Sequence, residues 1–283
     1  MTDETAKISD TDFKLFSDLI YRKSGINIQP HKRSLIENRL GREIRKGRFA
    51  SFKEFYDFVT TDQSGNEVVA LLDAVSTNVT HFFRENKHFE FLKKKVIPEM
   101  SKKKAAESER LIRIWSAASS SGEEPYTLAL VIEELLPDSS GVNYKILGTD
   151  ISTKVLSLAK AGCYREDKVK DIPLSLLSRY FIRGCENGET HYTVNEHLKK
   201  RVLFQRFNLI SESFPFRHPL DIIFCRNVMI YFDKPTQEKI VRRFYNHLSE
   251  GGYLFLGHSE GLTGVSHQFR YIMPSVYKKE KGD

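Results

Sequence analysis

Strand-like and helix-like segments alternate regularly after residue 105, and few folds are compatible with that pattern. Apolar runs that predict strands occur at residues 111–115, 144–149, 202–207, 221–225 and 253–257. Segments with helical periodicity lie between several of them, at residues 125–136, 153–161 and 235–248. Strands joined through helices are parallel, so the pattern predicts βαβ units and a mainly parallel sheet over residues 105–283.

The first 80 residues, by contrast, show helical periodicity only. Four predicted helices begin near Ser9 or Thr11, Ser34, Ser51 and Asn66. Ser51 and Glu54 have the spacing of a capping box, which is typical of a helix start. We therefore expect a helical N-terminal domain over residues 1–80 and a linker helix region over residues 81–104. Its end, Lys102-Lys103-Lys104, we interpret as a surface connection.

The segment from about residue 163 to 200 is too long for a simple crossover between two strands. Its second half contains Asn187-Gly188, followed by the alternating run His191–Val194. An Asn-Gly pair beside an alternating run is typical of an antiparallel hairpin. We expect a small antiparallel β subdomain inserted into the sheet domain.

Composition excludes several classes of protein. The three cysteines, Cys163, Cys185 and Cys225, are widely spaced and form no C-x-x-C pair, which argues against a disulfide framework or a zinc site. We therefore expect no metal. No apolar run approaches the roughly 18 residues that span a bilayer, and the start Met1–Thr5 is polar and acidic rather than a signal peptide. We expect a cytoplasmic protein.

Polar residues stand directly after four predicted strands. They are the small-residue turn 116–122, with Glu124 at the entrance of the next helix, then Asp150, then Asn208-Leu209, then Arg226-Asn227. Ligands of open parallel sheets bind at the carboxyl ends of strands. Each position alone also suits a structural turn or a helix cap, but the four together predict a site for a nucleotide-like cofactor.

The type of cofactor follows from what the turn lacks. Residues 116–122 contain one glycine, so the G-x-G-x-x-G dinucleotide fingerprint is absent, and there is no P-loop lysine. A ligand without a pyrophosphate needs fewer glycines, because no phosphate presses against the helix N-terminus. The sequence therefore favours S-adenosylmethionine over NAD or ATP.

Four blocks of sequence resemble the chemotaxis receptor methyltransferases, the CheR-type protein-glutamate O-methyltransferases. The blocks are Ser76–Glu85 (STNVTHFFRE), Trp115–Tyr126 (WSAASSSGEEPY), Phe224–Asp233 (FCRNVMIYFD) and Leu256–Glu260 (LGHSE). They occur in the expected order and the resemblance covers almost the whole chain. Many members of the family have Gly and Cys where Ala118 and Ser119 stand.

The resemblance implies a fold and a set of roles. It implies a Rossmann-like class I methyltransferase domain with an inserted antiparallel β subdomain, preceded by an all-α domain. It also implies that S-adenosylmethionine is converted to S-adenosylhomocysteine as glutamate side chains of receptors are esterified. The implied cofactor-binding residues are Asn78, Thr80, Arg84, Glu124, Asp150, Asn208, Leu209, Arg226 and Asn227. Arg84 and Tyr231 are the implied catalytic residues, and Phe82-Phe83 are interpreted as interdomain core.

One short segment suggests how a partner binds. Residues 31–48 contain seven lysines and arginines but only two acids, within a net charge of +7 for the chain. At helical spacing, Ile36, Leu40 and Ile44 fall on one side. The opposite side, called here the basic helix face, carries Arg39, Arg42, Arg45 and Lys46.

The resemblance implies that the partner is a methyl-accepting chemotaxis receptor, whose methylation region is an acidic helical bundle, and a basic face would attract such a surface. We expect a monomer that reaches the membrane only through receptors and binds no nucleic acid. Two alternatives remain open at this point: a methyltransferase acting on RNA or a small molecule, and a non-catalytic receptor-binding module.

Overall fold

The computed structural model describes residues 7–136, 140–186 and 188–280. The polar start Met1–Thr5 and Asn187, the first residue of the predicted turn, lie outside these ranges. No helix within them is long and apolar enough to cross a bilayer.

Four helices form the N-terminal domain, as the periodicity predicts: α1 (Asp10–Ser24), α2 (Arg33–Gly47), α3 (Phe52–Thr61) and α4 (Asn66–Val75). The Ser9 hydroxyl caps α1 by accepting the Asp12 N–H, and the helix ends at Gly25 in a left-handed conformation with φ of 75°. Their apolar stripes meet in one buried core that includes Phe16, Ile20, Leu40, Val59 and Leu72. Burial of these stripes, rather than helix propensity alone, stabilises such short helices.

Helices also fill the next stretch of chain. They are α5 (Lys87–Phe91), a π-helical turn (Leu92–Val96) and α6 (Ile97–Ala105). Their buried side chains, among them Phe89, Leu92, Ile97 and Met100, belong to the same apolar core as the sheet. Phe82 lies in that core too, against the rings of Tyr164 and Phe181.

The sheet domain contains β1 (Leu111–Ser116), α7 (Glu123–Glu133), β2 (Asn143–Asp150), α8 (Thr153–Ala161), β6 (Val202–Arg206), β7 (Leu220–Cys225), α12 (Lys234–His247), β8 (Leu248–Leu256), β9 (Arg270–Met273) and β10 (Val276–Lys278). The strand order is β6-β2-β1-β7-β8-β10-β9. The first five are parallel, which confirms the predicted βαβ pattern. The antiparallel strands β9 and β10 are too short for an alternating pattern to reveal them.

The strand order reverses between β1 and β7, because β2 and β6 extend the sheet on one side and β7 and β8 on the other. A crevice therefore opens at the carboxyl ends of β1 and β7. Ala117, Asp150, Phe207 and Arg226 end or follow four neighbouring strands, so all four lie at this edge.

The predicted insertion is present and larger than a hairpin. It contains β3 (Cys163–Arg165), α9 (Glu166–Val169), α10 (Leu174–Tyr180), β4 (Phe181–Glu186), β5 (Glu189–Val194) and α11 (Glu196–Lys199). The three strands form an antiparallel sheet in the order β3-β5-β4. β3 lies where the chain enters the insertion, and it pairs with β5 as the third strand of this sheet.

The interpretation of Lys102-Lys103-Lys104 as a surface connection is wrong for Lys104. This lysine lies in the last turn of α6, and its side chain is 7% exposed. Its Nζ lies 3.0 Å from Oδ1 of Asp221, a fully buried carboxylate at the start of β7. Because an unpaired buried carboxylate is unfavourable, α6 supplies the compensating cation.

Candidate active site

A deep cleft lies between the helical domain and the carboxyl edge of the sheet. It encloses about 1310 Å³, including its open mouth. Its walls carry all ten residues that the sequence assigns to cofactor binding or catalysis: Asn78, Thr80, Arg84, Glu124, Asp150, Asn208, Leu209, Arg226, Asn227 and Tyr231. These residues come from five separate stretches of chain, so the fold brings together what the sequence keeps far apart.

The turn after β1 forms part of the floor. Ala117, Ala118 and Ser120 line the cleft and leave room for a ligand, because none has a large side chain. Gly122 ends the turn with φ of 97°, and a Cβ there would lie 2.9 Å from the Tyr164 hydroxyl oxygen and 3.0 Å from Ala159 Cβ. Both the conformation and the crowding require glycine at this position.

Asp150 is held in place by the backbone. Its Oδ2 accepts the Ser120 N–H at 2.9 Å, and its Oδ1 accepts the Ser152 N–H at 3.0 Å. Ser152, not Asp150, caps α8. A carboxylate has about four lone-pair sites, so acceptor positions remain for hydroxyl groups of a ligand. Burial raises the pKa of Asp150, although both N–H groups favour the charged form.

Arg226 is the centre of a buried ionic cluster. Its Nη1 lies 3.0 Å from Glu124 Oε2, and its Nη2 lies 2.9 Å from Glu85 Oε2. The guanidinium also donates to the carbonyl oxygen of Arg84. The side chain is 1% exposed, so its charge is balanced by these two carboxylates rather than by water.

The two carboxylates of the cluster respond differently to burial. Burial raises the pKa of Glu124, against the opposing effects of Arg226 and a 2.7 Å hydrogen bond from the Ser116 hydroxyl. Burial also opposes the ionisation of Glu85, but hydrogen bonds from Asn227 and the charge of Arg226 lower the pKa of Glu85 to about 2. Glu85 is therefore a permanent anion at neutral pH.

Another buried carboxylate, that of Glu260, shapes the loop after β7. Glu260 Oε2 accepts the N–H groups of Asn227 at 2.7 Å and Gly257 at 2.6 Å, and its Oε1 accepts the Ile230 N–H at 3.2 Å. Asn227 has φ of 58°, a conformation that is uncommon for a residue with a side chain. Glu260 thus fixes the backbone that presents Arg226 and Asn227 to the cleft.

Residues 76–85, called here the strap, cross the cleft without regular secondary structure. Asn78, Thr80 and Arg84 line the cleft from the strap. The strap touches the floor where the Ser120 hydroxyl donates to the Asn78 carbonyl oxygen at 3.1 Å. Arg84 Nη1 donates to the Val79 carbonyl oxygen at 2.6 Å, which folds the arginine back along the strap.

Asn208 has a second role besides lining the cleft. Its Nδ2 donates to the Lys23 carbonyl oxygen at 2.7 Å, and its Oδ1 accepts the Ile210 N–H at 3.2 Å. The first contact ties the end of α1 to the sheet domain, and the second is a local turn. Asn208 therefore fixes the shape of the cleft through both ends of its side chain.

The mouth of the cleft carries Tyr231 and an unpredicted lysine. Tyr231 is half-buried, and its carbonyl oxygen accepts the Asn27 N–H at 2.8 Å. Lys32 Nζ lies 5.3 Å from the centre of the Tyr231 ring. A cation and a phenol hydroxyl thus lie side by side in the cleft lining.

Three of the four residues of the basic helix face, Arg42, Arg45 and Lys46, are exposed, and Ile36, Leu40 and Ile44 are buried as the spacing predicts. Arg39 is different. Its guanidinium donates to the Val75 carbonyl oxygen and, at 3.0 Å, to the Thr77 hydroxyl. Arg39 therefore holds the start of the strap, in addition to any contact with a partner.

Sequence reasoning missed Glu85, Glu260 and Lys32. Glu85 and Glu260 end two of the quoted blocks, FFRE and LGHSE, so their position in those blocks is the available signal. Neither stands directly after a predicted strand, which is the signal that marks Asp150. Both lie outside the cleft wall. Lys32 precedes α2 and gives no signal of its own in the sequence.

Glu85, His88 and His258 place ligand atoms within 4.8 Å of one another, a grouping that metal sites also use. The Glu85 oxygens here already accept hydrogen bonds from Arg226, Asn227 and the His258 N–H. A dication at this point would lie beside the Arg226 guanidinium. The donor set is therefore better suited to an arginine than to a metal ion.

Comparison with known proteins shows which family the sequence matches. The family model described as "CheR methyltransferase, SAM binding domain" matches residues 78–277, and "CheR methyltransferase, all-alpha domain" matches residues 11–76. A "Chemotaxis protein methyltransferase" of Borreliella burgdorferi is 41% identical over 92% of this chain and 91% of that protein. One of Escherichia coli is 37% identical over 99% of this chain and 94% of its own length.

Proposed function

The chain belongs to the CheR family of S-adenosylmethionine-dependent methyltransferases, and we propose that the cleft positions a receptor glutamate against the cofactor. The enzyme methylates chemotaxis receptors, with S-adenosylmethionine as methyl donor and S-adenosylhomocysteine as product. The observation that carries the site proposal is that all ten predicted residues line one cleft that opens beside the basic helix face.

The residues of the cleft fit this cofactor. Asp150 offers free acceptor positions to a ribose diol, while Ile151, Phe207 and Leu209 provide apolar walls for a base. Arg84 and the Glu124–Arg226 pair are suited to a carboxylate and an ammonium group of the methionine part. The small side chains of Ala117 and Ala118 leave the space that the ligand needs.

The chemistry requires alignment rather than proton transfer. When bound, S-adenosylmethionine supplies a methyl group whose C–S bond breaks, its electrons passing to sulfur, as a carboxylate oxygen forms the new C–O bond. A glutamate has a reference pKa of about 4.3, so the acceptor is already an anion at neutral pH and no general base is needed. Holding the reacting atoms about 3–3.5 Å apart in line can lower the barrier by roughly 7–11 kcal/mol.

Arg84, Tyr231 and Lys32 have the positions to guide the acceptor carboxylate. Arg84 lies over the cleft on the strap, and Tyr231 and Lys32 border its mouth. A cation that neutralised the nucleophile completely would stabilise the ground state more than the transition state, in which the negative charge disperses. The fold-back of Arg84 onto the Val79 carbonyl oxygen keeps part of its hydrogen-bonding capacity away from the acceptor.

The partner of the basic helix face is, in this proposal, the acidic helical bundle of a receptor. Arg42, Arg45 and Lys46 are exposed on α2, and Leu35 and Ile36 of the same helix line the cleft. A helical bundle docked on α2 thus brings its glutamates to the cleft mouth. The protein works in the cytoplasm as a monomer and meets the membrane only through its receptors.

We expect the double variant Arg42→Glu, Arg45→Glu to lower the rate of receptor methylation at low salt by about tenfold or more, because the attraction that steers docking is reversed. The difference should shrink as ionic strength rises and screens the charges. Affinity for S-adenosylmethionine should not change, since neither residue lines the cleft. The measurement is the initial rate with receptor membranes across a salt series, with calorimetry for the cofactor.

The matched control is Lys154→Glu, Lys160→Glu, which makes the same change of charge on exposed positions of α8. Arg39 is left intact because it also holds the strap. Equal rates for the wild type and the α2 variant at low salt would show that docking occurs elsewhere. Equal losses in both double variants would show an effect of net charge alone.

Action on RNA or on a small molecule is not favoured, because the relatives that match over nearly the whole chain are chemotaxis protein methyltransferases. A non-catalytic receptor-binding module is not favoured either, because the cleft retains every residue expected to bind the cofactor.

A further inference from the structure

We propose that Glu85 is a positioning residue. Its carboxylate accepts hydrogen bonds from residues that follow β7 and β8, and these bonds hold the strap over the cofactor. The proposal rests on the proposed function, since it assigns how Arg84 reaches its place above the cofactor. Glu85 does not line the cleft, so it acts through other residues and not by contact with ligand.

The Glu85 carboxylate joins three stretches of chain. Its Oε2 accepts hydrogen bonds from Arg226 at 2.9 and 3.3 Å and from the His258 N–H at 3.1 Å. Its Oε1 accepts the Asn227 Nδ2 at 3.1 Å. One carboxylate thus fastens the end of the strap to the loops after β7 and β8, and the loop after β7 forms part of the cleft wall.

The backbone around Arg84 shows why such a fastening is needed. Phe83 and Glu85 both have positive φ, 54° and 58°, which is unfavourable for residues with side chains. Conformations of this kind persist only where the surrounding contacts impose them. The Arg84 carbonyl oxygen, between these two residues, accepts a hydrogen bond from Arg226. The Glu85–Arg226 contact is therefore what turns the chain so that Arg84 projects over the cleft.

The charge of Glu85 also determines where Arg226 points. The Glu85 and Glu124 side chains are 14% and 11% exposed, and they hold the almost fully buried guanidinium between them. Without the Glu85 anion, Arg226 would keep only Glu124 and would be free to turn towards anionic groups in the cleft. The nearby His88 cannot replace the anion, because an imidazole is neutral or cationic; burial lowers its pKa to about 4, so it is neutral at neutral pH and does not supply a cation in place of Arg226 either.

The test is a double-mutant cycle on cofactor affinity with Glu85→Gln and Arg84→Ala. Glutamine has the same shape but carries no charge and cannot accept at both ends. We expect Glu85→Gln to weaken S-adenosylmethionine binding by about tenfold or more in the wild-type background, but by less than about threefold when Arg84 is already alanine. Non-additive losses of affinity are expected if Glu85 acts through Arg84. A purely structural defect would lower affinity equally in both backgrounds.

The control is Glu90→Gln, which removes a carboxylate from an exposed pair with Lys94 on the neighbouring helix and should leave affinity unchanged. If Glu85→Gln does not fold, the same cycle is run with Glu85→Asp, which keeps the charge at a shorter reach, and non-additivity is again expected. Equal losses in both backgrounds, or no loss at all, would overturn the positioning role. A wild-type protein that binds no S-adenosylmethionine would instead overturn the proposed site itself.

Discussion

Replacing Arg226 with methionine should abolish detectable methylation and lower the free energy of unfolding by about 3–5 kcal/mol. Methionine keeps an unbranched apolar side chain beside Phe89 and Phe224, the rings against which the guanidinium packs, but it lacks the guanidinium itself. It leaves Glu85 and Glu124 facing each other in a buried site without a cation. At least one of them must then become protonated or move, and either response disturbs the strap and the cleft wall.

Urea unfolding measures the free energy of unfolding, and the initial rate with receptor membranes measures methylation. The control is Arg270→Met, which removes the arginine of an exposed pair with Glu280 and should cost no more than about 1 kcal/mol. A variant Arg226→Lys tests geometry separately, because lysine keeps the charge but cannot reach both carboxylates as a planar fork does. If Arg226→Met retained wild-type stability and activity, the ionic cluster would have no part in either.

Asp150→Ala should weaken S-adenosylmethionine binding by roughly 10- to 150-fold, which corresponds to the loss of a charged hydrogen-bonding group of about 1.5–3 kcal/mol. The carboxylate is fixed by the Ser120 and Ser152 N–H groups, so it meets a ribose diol without further ordering. Its removal also leaves those two N–H groups without their partner. We expect a lower unfolding temperature but a folded protein.

Calorimetry well below the unfolding temperature of both proteins isolates the binding effect. Asp57→Ala is the control, because it removes an exposed carboxylate that pairs with Lys53 of the same helix, α3. It should change neither affinity nor fold. Unchanged affinity in Asp150→Ala would remove this residue from the cofactor site.

The parts of the site that could be predicted from the sequence are those that stand at strand ends. Asp150 and Arg226 each follow an apolar run directly, and the rule for parallel sheets then places them at one edge. The helices of the N-terminal domain were equally predictable, since caps such as Ser9 and Ser51 and the periodic apolar residues agree. At these strand ends and helix caps, the residue that the local pattern predicts is also the one that the tertiary structure uses.

The parts that could not be predicted depend on contacts between distant segments. Lys104 has the sequence surroundings of a surface lysine, and besides the nearby Glu107 it pairs with the buried Asp221, 117 positions later, which the sequence does not reveal. Glu85 likewise gains its role from Arg226 and Asn227. Arg39 was predicted from helical spacing to face a partner, yet its guanidinium reaches the start of the strap. Periodicity gives the side of a helix but not what a long side chain contacts.

The chemical nature of the transferred label distinguishes methylation of receptor glutamates from other methyl transfers. The protein is incubated with S-adenosylmethionine carrying a tritiated methyl group and with receptor-rich membranes, and the receptor is then treated with alkali. We predict label on the receptor that alkali releases as volatile methanol, because carboxyl esters hydrolyse under these conditions. That label should be lost in Arg226→Met and, at limiting S-adenosylmethionine, reduced in Asp150→Ala. Label that is stable to alkali, label on RNA instead of receptor, or no transfer at all would contradict the account.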